Sequence, residues 1–106
     1  MTPVSWTKAA LVDLELILIY AAARNLKGAA TIAARVREAE LTISTFPRAA
    51  RRDPDTGAYE AIVHGLPLLL IYELIMVSDE SQRIDIIAVF NTDRAVTAKP
   101  GRRGPD

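Results

Sequence analysis

The sequence predicts an α+β fold: a short N-terminal strand and a helical hairpin packed on a mainly antiparallel β-sheet. Three observations predict it. Apolar residues recur at helical spacing up to Phe46. Beyond Gly57 the pattern changes to short apolar runs rich in β-branched residues. Those runs are separated by brief turn sequences, which suit an antiparallel meander. A chain of 106 residues, 50% of them hydrophobic, can bury one modest core. Any functional site therefore lies on the surface of that one domain or at its contact with a partner.

Val4 to Trp6 reads as the first strand, and Thr7 as the N-cap of a helix reaching about Arg24. This helix carries two apolar stripes. One holds Ala10, Leu11, Leu14, Ile17, Leu18 and Ala21; the other holds Val12, Leu16, Ile19, Tyr20 and Ala23. A surface helix needs one apolar face, so the second stripe must also be covered. Either the second helix covers it, or a partner protein covers part of it. Asn25 and Gly28 supply a break. A second helix is expected from about Ala29 to Phe46, with Ile32, Val36, Ala39, Ile43 and Phe46 along its inward face. Pro47 stops it.

Pro47 to Gly57 reads as an irregular polar loop, since prolines and a terminal glycine interrupt it. Tyr59 to Val63 has strand character, and His64-Gly65-Leu66-Pro67 is a turn. Leu68 to Val77 is continuously apolar as far as Ile75, apart from Glu73. It is expected to be the central strand, buried on both faces. Ser78 to Ser81 is the next turn. Arg83 to Phe90 is the last strand, with Ile84, Ile86, Ala88 and Phe90 expected on one face. Residues 1–98 form one domain on this reading, and residues 99–106 a flexible tail that has little to bury.

Composition removes several functions. There are no cysteines, so disulfides, thiolate metal sites and cysteine nucleophiles are absent. The N-terminus lacks the basic start and long apolar stretch of an export signal. The apolar run Leu16 to Ala23 is far shorter than the roughly 20 residues a membrane span needs. A cytoplasmic protein with no membrane association, cofactor or metal is expected. Asp53 and Asp55 flank Pro54, an arrangement read as a solvated acidic turn. Acidic and basic residues balance, but arginine clusters at Arg48, Arg51 and Arg52, and again at Arg102 and Arg103. Arginine suits bidentate contact with carboxylate or phosphate.

The segment Gly57-Ala-Tyr-Glu-Ala-Ile-Val-His-Gly-Leu-Pro-Leu-Leu-Leu-Ile-Tyr72 resembles a strand, Gly-Leu-Pro turn and Tyr-ended strand of the ParE family. Val89-Phe90-Asn91-Thr92-Asp93-Arg94 occupies the place of that superfamily's apolar-apolar-His-x-x-Arg ending. Ser5-Trp6-Thr7-x-x-Ala10, Asp13-Leu14, Ile17 and Tyr20 match its opening. From Val4 to Val96 the chain therefore resembles the RelE/ParE toxin superfamily, with the ParE-like branch favoured. The resemblance implies the toxin of a type II toxin–antitoxin system, often a plasmid-stabilisation element, neutralised by a ParD-like antitoxin. It implies DNA gyrase as the target, with operator DNA reached only through the antitoxin. Its alternatives are a RelE-like ribosome-dependent mRNA endonuclease, or a non-toxic member that only binds an antitoxin.

Ribonuclease chemistry needs a general base, a general acid and positive charge at the phosphate. Where the nuclease branch has its strand arginine, this chain has Tyr59; where that branch has histidine, it has Asn91. Asn transfers no proton near neutral pH. Tyr59 and Glu60 are neighbours in a strand and point to opposite faces. The single histidine, His64, sits in a turn. A non-catalytic toxin is therefore expected. Val12, Leu16, Ile19 and Tyr20 are the candidate antitoxin contacts. Arg48, Arg51, Arg52, Asn91 and Arg94 are the candidate target contacts, with Arg102 and Arg103 a possible extension.

Overall fold

The computed structural model describes residues 1–94. The tail at 99–106, with Arg102 and Arg103, lies outside them. The elements run β1 (Val4–Trp6), α1 (Lys8–Arg24), α2 (Leu26–Thr45), β2 (Arg51–Arg52), β3 (Tyr59–Ile62), β4 (Leu68–Ser78) and β5 (Ser81–Asn91). A 3-10 turn, Thr92–Arg94, follows. The sheet order is β1-β5-β4-β3-β2, antiparallel throughout except for the β1–β5 pair. The helical hairpin covers one face, as the sequence predicts.

Local chemistry sets the element ends. The Thr7 hydroxyl accepts from the Ala10 N–H (3.2 Å) and donates to the Ile86 carbonyl (3.1 Å), capping α1 and tying it to β5. Asn25 alone divides the two helices. Its N–H closes α1 on the Ala21 carbonyl, and its side chain caps α2 through the N–H groups of Lys27 and Gly28. The second helix thus begins at Leu26 rather than near Ala29, and Gly28 lies within its first turn instead of breaking the chain. Phe46 leaves the helix with φ −129° and ψ 70°, so its ring swings outward and does not join the inward face. Val36, Ala39 and Ile43 do join it. Gly65 adopts φ +76°, and Leu66 N–H bonds to the Val63 carbonyl, the geometry of a type II turn that glycine permits.

Three further expectations change. The Pro47–Gly57 loop contains a two-residue strand: Arg51 and Arg52 pair with Glu60 and Tyr59. The Asp53 side chain accepts from the Asp55 N–H (2.8 Å), which shapes the tight turn that lets β2 return to β3. β4 is central and buried on both faces only from Leu68 to Tyr72; Glu73, Met76 and Val77 are exposed as the hairpin runs past the helices. In β5 the register shifts, because Ile71 pairs with Ala88 while Tyr72 pairs with Ile86. The extra residue, Ile87, reverses the alternation. Ile84, Ile86 and Val89 therefore join the core beneath the helices, whereas Ala88 and Phe90 pack with Ile71 and Leu69 on the other face.

Beside this bulge the Val89 N–H donates to the Asp13 carboxylate of α1 at 3.0 Å. The bond fixes the helix on the strand. Asp13→Ala leaves a part-buried donor unsatisfied and should cost about 1–3 kcal/mol. Asp13→Asn keeps an acceptor and should retain most of that stability. Urea titration of the two variants measures both values, and equal losses would separate the effect from this hydrogen bond.

Candidate functional site

The two stripes of α1 have different fates. Ala10, Leu14 and Ile17 pack on the sheet, and Leu18 turns toward α2. The residues of α2 that meet α1 include Ala29, Ala30 and Ala33. Such small side chains reach only the near flank of α1. Leu11, expected inside, is therefore left 51% exposed. The second helix leaves most of the second stripe uncovered: Val12, Leu16, Ile19 and Tyr20 are 45%, 60%, 59% and 46% exposed, although Ile19 also borders the flank where α2 lies. Arg24 lies over the Tyr20 ring, 4.6 Å from its centroid.

Leu16, Ile19, Tyr20 and Ala23 form one wall of an open groove of about 850 Å³. The opposite wall comes from Leu66, Pro67 and Leu68 at the β3–β4 turn, with Asn91 from β5. The Thr92 N–H donates to the Pro67 carbonyl (2.9 Å), so the end of β5 holds this turn in place. The Gly-Leu-Pro sequence signalled the turn, but only the fold shows that Leu66 and Pro67 face α1. The groove is almost wholly apolar, with Arg24 and Asn91 as polar features. An amphipathic helix is the ligand such a surface suits.

The candidate target contacts divide into separate surfaces. Arg48 and Arg52 share a polar pocket of about 370 Å³ with Gln82 and Glu73. Arg51 points to the other face of the sheet, as strand alternation requires, and pairs with buried Glu60 at 3.6 Å. Asn91 lines the apolar groove, and its side chain accepts from the Asp93 N–H (3.0 Å). Arg94 closes the 3-10 turn, and its side chain is outside what is described. Sequence reasoning missed Gln82 and Glu73, which the long hairpin brings to the two arginines.

At the positions of interest for nuclease chemistry, Tyr59 is buried and stacked on Tyr72, with ring centroids 5.1 Å apart and planes 14° from parallel. Tyr59 pairs with Tyr72, and Asn91 with Leu68. Four residues of strand separate these partners, roughly 13 Å. The two positions therefore do not meet in one site. Tyr72 is fully buried, and its hydroxyl donates to the Pro47 carbonyl at 2.7 Å. Burial, then the neighbouring Tyr59, pushes its pKa up to about 12. His64 is exposed in the turn. Among the described residues, no group of three or more His, Asp or Glu side chains is placed to hold a metal ion. Nor is any described helix long and apolar enough to cross a membrane.

The family profile described as ParE toxin of type II toxin-antitoxin system, parDE, matches residues 4–96. No curated protein matches the sequence. Among solved structures, the chain is similar to one from the chromosomal ParDE TA system of P. aeruginosa, with a TM-score of 0.68 and 17% identity. The match covers 86% of this chain and 96% of that one. At this identity the likeness speaks for the fold. Because the family profile spans the chain from β1 past the last strand, the protein belongs to the ParE toxin family of type II toxin–antitoxin systems.

Proposed function

We propose that the protein is a cytoplasmic toxin that arrests growth by binding DNA gyrase, without a catalytic reaction of its own. A ParD-like antitoxin neutralises it, and operator DNA is reached only through that antitoxin. The observation that carries the reading is the exposed apolar stripe Val12, Leu16, Ile19 and Tyr20 beside a groove of about 850 Å³. A face this apolar on a small domain is a protein-binding surface. The ParDE system of the similar solved structure supports a toxin–antitoxin complex. Tyr59 in the core and Asn91 far from it support a binding mechanism over RNA cleavage. Arg48, Arg51, Arg52, Asn91 and Arg94 remain the proposed target contacts. On this geometry they act as separate contacts, with Arg48 and Arg52 as the paired one.

Expression of the protein alone in cells tests the reading. The expected result is growth arrest with induction of the DNA-damage response, relieved by co-expressed antitoxin. Purified protein should also inhibit gyrase supercoiling. Arrest with mRNA cut at ribosomes would instead establish the endonuclease alternative, and the absence of arrest would establish a member that only binds an antitoxin.

A further inference from the structure

We propose that Arg48 and Arg52 form a carboxylate-binding pocket that receives an acidic segment of the toxin's protein target; the assignment of the occupant rests on the target-binding reading above. The ion pairs of the described residues engage Arg35, Arg51 and Arg83. Arg48 and Arg52 bond instead to neutral groups. The Arg48 Nη2 donates to the Gln82 side chain at 3.0 Å. The Arg52 Nε donates to the Gly57 carbonyl at 2.9 Å, and its guanidinium lies 5.4 Å from the Tyr59 ring centroid. Each bond uses one of five guanidinium donors and orients the plane. The remaining donors are therefore held ready for a bidentate acceptor.

The chemistry of the wall selects the acceptor. Two arginines and Glu73 leave the pocket with one net positive charge. One carboxylate balances that charge, whereas a phosphate dianion exceeds it and meets stronger repulsion from Glu73. Leu74, Ile75 and Met76 add apolar surface, and Met76 is exposed. A glutamate or aspartate flanked by an apolar side chain fits such a wall. Position separates this occupant from the antitoxin. The pocket borders β4 at Glu73 to Met76, and the apolar groove borders it at Leu68. Five residues of strand part Leu68 from Glu73, roughly 17 Å. A helix filling the groove leaves the pocket open.

Three proteins test the proposal: the full chain, Arg48→Glu and Glu73→Gln. Both substitutions are at exposed side chains. A hexaglutamate peptide titrated at low salt, with the backbone amides of Gly57 and Gln82 as reporters, should bind the unaltered protein. Arg48→Glu should weaken binding by about tenfold or more. Glu73→Gln should tighten it by roughly threefold. Supercoiling inhibition should follow the same order, with antitoxin affinity unchanged in all three. Equal peptide binding by all three proteins overturns the pocket. Tighter binding of single-stranded RNA than of the peptide at the same amides overturns the carboxylate assignment. If the unaltered protein fails to inhibit gyrase while peptide binding still follows Arg48 and Glu73, the gyrase reading falls and the pocket stands.

Discussion

The double substitution Leu16→Glu and Ile19→Glu should lower antitoxin affinity by about a thousandfold or more while leaving the toxin folded. The two side chains are 60% and 59% exposed, so the isolated domain gains little from them. Exposed substitutions of this kind usually change stability by within about 0.5 kcal/mol, and glutamate is as good a helix former as leucine. In a complex the balance reverses. Covering each apolar side chain contributes about 1.5–3 kcal/mol, of which their partial exposure makes most still available. Two carboxylates placed in an apolar groove add a desolvation cost of similar size. Even a sum near 4 kcal/mol is about three orders of magnitude in affinity. Leu11→Glu is the informative control. Leu11 is about as exposed, but it faces the α1–α2 side and does not line the groove. Titration calorimetry with the antitoxin and thermal melts of each toxin alone separate the outcomes. Loss of the fold in the double variant would make the stripe part of the core. Equal loss of affinity for Leu11→Glu would move the antitoxin to the other flank of α1.

This prediction depends on a feature that was only half legible in the sequence. The two apolar stripes of α1 follow from spacing alone. Which stripe is covered does not, because it depends on the length of the side chains that α2 presents. Alanines at 29, 30 and 33 leave too little reach to cover the far side. Elements whose ends rest on local chemistry were legible: the Thr7 cap, the Gly65 turn and the short β1. Positions set by the register between paired strands were not. The bulge at Ile87 is silent in an alternating sequence, yet it decides that Val89 rather than Ala88 reaches the core. The arginine cluster shows the same limit. Three arginines within five residues suggest one patch. Once β2 pairs with β3, alternation sends Arg51 to Glu60 and Arg52 to Tyr59.

Tyr72 connects this arrangement to stability. Among the described residues it is the largest fully buried side chain, at the centre of the sheet. Its hydroxyl holds the Pro47 carbonyl one residue before Arg48. Tyr72→Ala should cost about 3–5 kcal/mol, the usual penalty for emptying a large aromatic site. Tyr72→Phe keeps the ring and its stacking on Tyr59, and isolates the hydroxyl. It should cost about 1–2 kcal/mol near neutral pH, because the Pro47 carbonyl loses its buried donor. The pH dependence gives a second signature. The phenol's pKa rises from 10.0 to about 12 in the folded protein, first because it is buried and then because Tyr59 adjoins it. Folding thus favours the neutral phenol. Its contribution is fully present below pH 10 and is lost as pH rises toward 12, since the unfolded chain ionises first. A shift of this size corresponds to about 2–3 kcal/mol. Urea titrations between pH 8 and 12 should therefore show the unaltered protein losing stability faster than Tyr72→Phe. The gap between them should close, and then invert, as the pH approaches 12. Parallel curves would mean that the Tyr72 hydroxyl reaches water and that the Pro47 bond does not hold the arginine-bearing loop.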